Sequence, residues 1–70
     1  MSSATSDMSF EITVVGQVPD YVLYELNGFR ALTQASESVL VGSVPDQAAL
    51  IGVINRLHNS GIGLRGIRQL

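Results

Sequence analysis

Apolar residues along this chain follow two rhythms. The β-branched runs Ile12 to Val15 and Val39 to Val41 predict strands, and around the first of them Phe10, Ile12 and Val14 alternate with Glu11 and Thr13 at the period of a half-buried strand. After Asp20, Val22, Leu23 and Leu26 mark one face of a short helix that Asn27 and Gly28 close. After Asp46, Leu50, Ile51, Ile54 and Leu57 keep helical spacing over a longer element, ended by Asn59, Ser60 and Gly61, with Ile62 folding back over the last turn. Phe29 to Gln34 reads as a strand, Ala35 to Ser38 as a hairpin turn, and Gly63 to Gln69 as the final strand. The predicted order is β-α-β-β-α-β.

An internal repeat supports that order. Val15-Gly16-Gln17-Val18-Pro19-Asp20 recurs as Val41-Gly42-Ser43-Val44-Pro45-Asp46, each copy lying between a predicted strand and a predicted helix. The residue types suit a strand-to-helix turn: glycine allows a sharp bend, proline cannot continue a ladder, and aspartate accepts from the free N–H groups of a first helical turn. Asp20 and Asp46 are therefore expected N-caps. A single glycine and an aspartate at the helix start oppose a bound phosphate there. Two β-α-β units related by a pseudo-twofold give an α+β, ferredoxin-like fold: a four-stranded antiparallel sheet with both helices on one face and the repeated strands at its centre.

Strand residues of one parity share a face. If Phe10, Ile12, Val14 and Leu40 point to the helices, then Glu11, Thr13, Val15, Val39 and Val41 point to the uncovered side. Valines at the middle of an open sheet suggest a cover. Thr13, Val15, Val39 and Val41 are accordingly the expected interface, with a second copy making a homodimer or with a partner protein. The competing reading is that these valines are ordinary strand formers on a bare surface.

Length and composition narrow the function classes. A chain of 70 residues makes one domain, placed at 9–70 behind a flexible serine-rich tail at 1–8. A domain this small buries only about 60% of its unfolded surface, so association would add to a thin margin. No cysteine and a single histidine close the disulfide and zinc routes, and no metal or cofactor is expected. At 46% hydrophobic and 14% charged, the composition is that of a folded chain. Four basic residues, all arginine, stand scattered against six acids for a net charge of −2, which does not suit nucleic acid. A nucleic-acid reading would also need stacking aromatics on the open face, for which Phe10 and Phe29 are the candidates. No membrane span and no signal peptide is apparent, so a cytoplasmic location is expected.

Candidate chemistry is sparse. His58 sits near the end of the second helix with Arg56, a favourable place for cations, and no acid or nucleophile is spaced to work with it. Tyr21 and Tyr24, near Glu25, are read as packing residues or as the lining of a pocket. Arg65 and Arg68, three apart on a strand, are expected on opposite sides of the sheet. No enzyme is predicted.

The segment Gly42-Ser43-Val44-Pro45-Asp46-Gln47-Ala48-Ala49-Leu50, continued by Arg56-Leu57 and Gly61-Ile62-Gly63-Leu64, resembles a group of short stand-alone actinobacterial proteins with a Gly-Pro-Val-x-Asp-Gln-Ala-Ala-Leu turn and helix and a Leu-Gly-Leu turn. The chain departs from that pattern at Ser43 and Ser60. The resemblance covers about half the chain and implies an origin and a fold, not an activity. At fold level the pattern is also similar to acylphosphatases and to ACT regulatory domains. The acylphosphatase turn uses an arginine, and the loop from Gly16 to Tyr21 has none. Similarity to ACT domains implies a small-molecule ligand, an amino acid or metabolite, held at a dimer interface near the first strand-helix turn, here Gly16, Gln17, Asp20 and Tyr21. The expected function is thus a non-enzymatic, self-associating interaction or regulatory module, or alternatively an ACT-like ligand sensor.

Overall fold

The computed structural model describes residues 7–26 and 28–70. Its elements are β1 (Met8–Val15), α1 (Asp20–Glu25), β2 (Phe29–Thr33), β3 (Glu37–Val44), α2 (Gln47–Asn59) and β4 (Leu64–Gln69). All strands join one antiparallel sheet in the order β2-β3-β1-β4, so β1 and β3 are central and the arrangement is ferredoxin-like. Of the expected tail, residues 1–6 lie outside the described residues, and Met8 already opens β1 opposite Val44. Asn27, the expected helix stop, also lies outside them.

Both central strands outrun their β-branched runs. Ser9, Glu11, Glu37 and Ser43 belong to them because a strand with one uncovered face accepts polar residues at every second position. Beneath the helices, Ile12, Val14 and Leu40 are sealed from solvent and cluster with Val22 of α1 and its C-cap Leu26, Leu50 and Leu57 of α2, and Phe10, Phe29 and Val44 of the sheet. Ile54 flanks the core as expected, but Ile51 is exposed and Val53, one turn on from Leu50, packs there in its place. Among the described residues no helix is long and apolar enough to cross a membrane.

The two copies of the repeat fold differently. In the second, β3 runs through Val44, and Asp46, extended at φ −159° and ψ 176°, accepts a hydrogen bond of 2.8 Å from the Ala49 N–H to cap α2. In the first, β1 stops at Val15, Gly16 turns the chain at a positive φ of 77°, Val18 drops into the core, and Pro19 takes the N-cap position. Asp20, expected as an N-cap, is instead the first helical residue, where its charge still suits the helix dipole. Asp46→Ala should cost about 1 kcal/mol, and Asp20→Ala less than about half of that. Urea unfolding midpoints of the two variants check this difference.

At the far end of α2 the stop is as the sequence predicts. Gly61, beyond the Ser60 C-cap, donates to the His58 carbonyl at 3.0 Å, and Ile62 donates to that of Leu57 at 3.0 Å, the paired bonds of a Schellman turn. Ile62 folds back against the core.

Candidate functional site: the open face of the sheet

The pleat of β1 and β3 sorts their residues cleanly. Phe10, Ile12, Val14, Ser38, Leu40 and Val44 are buried under the helices, so Glu11, Thr13, Val15, Val39 and Val41 occupy the opposite face. There Glu11 pairs with Val41, Thr13 with Val39 and Val15 with Glu37. The outer strands complete two rows across the sheet: Leu32, Val39, Thr13 and Gly66 in one, Arg30, Val41, Glu11 and Arg68 in the next. The four residues nominated from sequence, Thr13, Val15, Val39 and Val41, thus share one surface. Val15 is 51% exposed, and Leu32, which the sequence reading did not include, is 63% exposed beside Val39. The face Leu32 takes depends on the pairing of β2 with β3 across the turn, which periodicity alone does not disclose.

Charged groups frame this stripe. Arg68 pairs with Glu11 at 3.0 Å and Arg65 approaches Glu37 at 3.8 Å, so both arginines lie over the open face. The expectation of opposite sides fails because of a β-bulge: Thr13 pairs with Gly66 but Val14 with Leu64, leaving Arg65 as an extra residue that resets the alternation. These pairs are largely solvated and contribute at most about 1 kcal/mol each. Arg30 makes no ion pair within 4 Å among the described residues. At one end of the face the Ser9 and Ser43 hydroxyls meet at 3.0 Å.

At the other end lies the candidate ligand turn. Gly16 donates its N–H to the Ser36 carbonyl at 2.9 Å, and its own carbonyl accepts from the Ser38 hydroxyl at 2.7 Å. Ser38 was expected in the hairpin turn; it is instead a fully buried residue of β3, and this bond satisfies its hydroxyl. Gln17, Asp20 and Tyr21 are exposed. A cleft of about 450 Å³ opens at the Ser9 and Ser43 end of the sheet, beside Arg30 and Val41. Others of about 310 Å³ and 300 Å³ lie beside Glu25 and Arg56, and beside Phe10 and Leu50. None of these three is lined by Gly16, Gln17, Asp20 or Tyr21.

The remaining candidates have structural places. Arg56 donates to Glu25 at 2.9 Å and ties α2 to α1, while His58 is exposed in the last turn of α2. Tyr21 and Tyr24 do not pack: they are 70% and 87% exposed, because so short a helix buries only the side carrying Val22. Phe10 and Phe29 are core residues, so neither is available on the open face for stacking. Among the described residues no three His, Cys, Asp or Glu side chains are grouped to hold a metal.

No curated protein and no solved structure matches the chain. One family model does, described as "Domain of unknown function (DUF8691)", and it aligns with residues 9–68. That span takes in both helices and nearly the whole sheet, from the second residue of β1 to the penultimate residue of β4. The chain therefore belongs to this family, the domain of unknown function DUF8691.

Proposed function

We propose that the chain is a non-enzymatic interaction module, of a kind suited to regulatory assembly, that associates with a second copy of itself through the open face of its sheet. The observation that carries this reading is the apolar stripe of Leu32, Val39, Val41 and Val15 across an uncovered sheet whose acids, Glu11 and Glu37, already have arginine partners. An apolar centre inside a polar rim is the usual anatomy of an interface. Covering roughly 200 to 300 Å² of apolar surface on this face contributes several kcal/mol at about 25 cal/mol per Å². That is a large addition for a domain whose total stability is about 5 to 15 kcal/mol.

Val39→Asp puts an unpaired carboxylate in the centre of the stripe and should weaken this contact at least about 100-fold. Sedimentation equilibrium at micromolar concentrations tests it, with circular dichroism to confirm that the variant folds and Val39→Thr as the mild control. The native chain should show an average mass above that of one chain, falling in Val39→Asp. A native chain that stays monomeric, or a mass that Val39→Asp leaves unchanged, contradicts the proposal.

A further inference from the structure

The charged residues of the strands all lie on the open face, and they do not balance. Arg30, Arg65 and Arg68 stand there against Glu11 and Glu37. Arg68 holds Glu11 and Arg65 approaches Glu37, so Arg30 is the surplus charge. No carboxylate comes within 4 Å of it among the described residues, and the sequence of the others, 1–6 and 27, contains no acid.

Arg30 lines the cleft of about 450 Å³ at the serine end of the face. Beyond Arg30 the next residue toward that end is Gly28 across from Ser43, whose N–H donates to the Gly28 carbonyl at 3.4 Å; glycine brings no side chain, so nothing from that side fills the row. The Ser9 and Ser43 hydroxyls meet at 3.0 Å, which uses one O–H of the pair and leaves the other as a donor. No other side-chain hydrogen bond among the described residues engages it. Val41 and Leu70 add apolar walls. A surplus of donors beside apolar surface is suited to an anion that carries a short hydrocarbon part.

We infer that this cleft binds a small organic carboxylate. The guanidinium of Arg30 donates to both carboxylate oxygens, the serine pair donates its spare O–H to one of them, and the hydrocarbon part lies on Val41 and Leu70. Carboxylate is favoured over phosphate by charge: one uncompensated arginine matches one negative charge, the other two arginines are engaged, and Glu11, in the row of Arg30, repels a dianion more than a monoanion. The turn at Gly16, Gln17, Asp20 and Tyr21 lies at the opposite end of the face, so the site is distinct from it. Every contact comes from one copy, and the site does not rest on the open-face dimer.

The test is a titration of the full chain with hexanoate, followed by proton-nitrogen correlation spectra at a protein concentration below that at which copies associate. Saturable shifts should appear at the Arg30 side chain and at the Ser9, Val41 and Ser43 amides, with a dissociation constant of about 1 mM, as suits so small a ligand. Hexanamide, of the same shape without the charge, should bind at least about fivefold more weakly, and Arg30→Gln should weaken hexanoate by a similar factor. Arg56→Gln, which removes a cation on the helix side, should leave hexanoate binding unchanged. The inference is overturned if hexanoate gives no saturable shifts, if hexanamide or inorganic phosphate binds the native chain as tightly, or if Arg30→Gln binds as the native chain does.

Discussion

Gly42→Ala is expected to be the most damaging single methyl addition in the chain, costing on the order of 3 kcal/mol or more. Gly42 lies in β3 directly opposite Phe29 of β2. A Cβ at this position would stand 2.5 Å from Phe29 Cγ and 2.7 Å from Phe29 Cα, and would also strike the Gly28 carbonyl oxygen. Two of those obstacles are backbone, so no rotamer change relieves them, and β2 must peel away from β3 or the whole sheet must shift. The demand is steric and not conformational, since Gly42 has no positive φ. Losing β2 would also uncover Phe29 and Ala31, which close the core on that side. Urea unfolding followed by circular dichroism should show a collapsed midpoint or no cooperative transition. A midpoint near the native value contradicts the close approach of β2 to β3.

Ile12→Ala and Leu40→Ala are the next largest effects, each about 2 to 5 kcal/mol. The two residues are partners across β1 and β3, and both are fully buried where the helices cover the centre of the sheet. Truncating either leaves a cavity that a packed layer of strands cannot close. For so small a domain, one such loss removes much of the total stability. The double variant should cost less than the two singles combined, because each truncation relaxes the other's surroundings. Val41→Ala, one residue along β3 but on the open face, should cost under about 1 kcal/mol in the monomer. Equal losses at Leu40 and Val41 would mean that the sheet does not have one covered and one bare face.

Much of this architecture was legible in the residues. Alternation in β1, the helical spacing from Leu50 to Leu57 and the glycine after α2 are local signals, and local physics decides each of them. What the pattern hid was set by pairing between distant segments. The same six-residue motif ends β1 at Val15 but lets β3 run to Val44, because Ser43 and Val44 still pair with Ser9 and Met8 of β1, whereas past Val15 the chain turns away at Gly16 with its positive φ. The bulge between β1 and β4 moved Arg65 to the face of Arg68, which counting by twos could not anticipate. Leu32 joined the open face through the β2 register, and Tyr21 and Tyr24 were left outside because α1 is too short to bury a second side. The open-face residues themselves were legible from parity alone. Their cover was not, since a surface carries no local mark of the chain that meets it.

The central claim concerns direct contact between copies at the stripe of Val15, Val39, Val41 and Leu32. An equal mixture of isotope-labelled and unlabelled chain, analysed by isotope-filtered nuclear Overhauser spectroscopy, reads that contact at the methyl groups. Cross-peaks between chains should connect the methyls of Val39 and Val41 with those of Val15 or Leu32, and should vanish in Val39→Asp. Association without any intermolecular cross-peak to these methyls, at concentrations where the chain sediments as an assembly, would show that the open face is not what joins the copies.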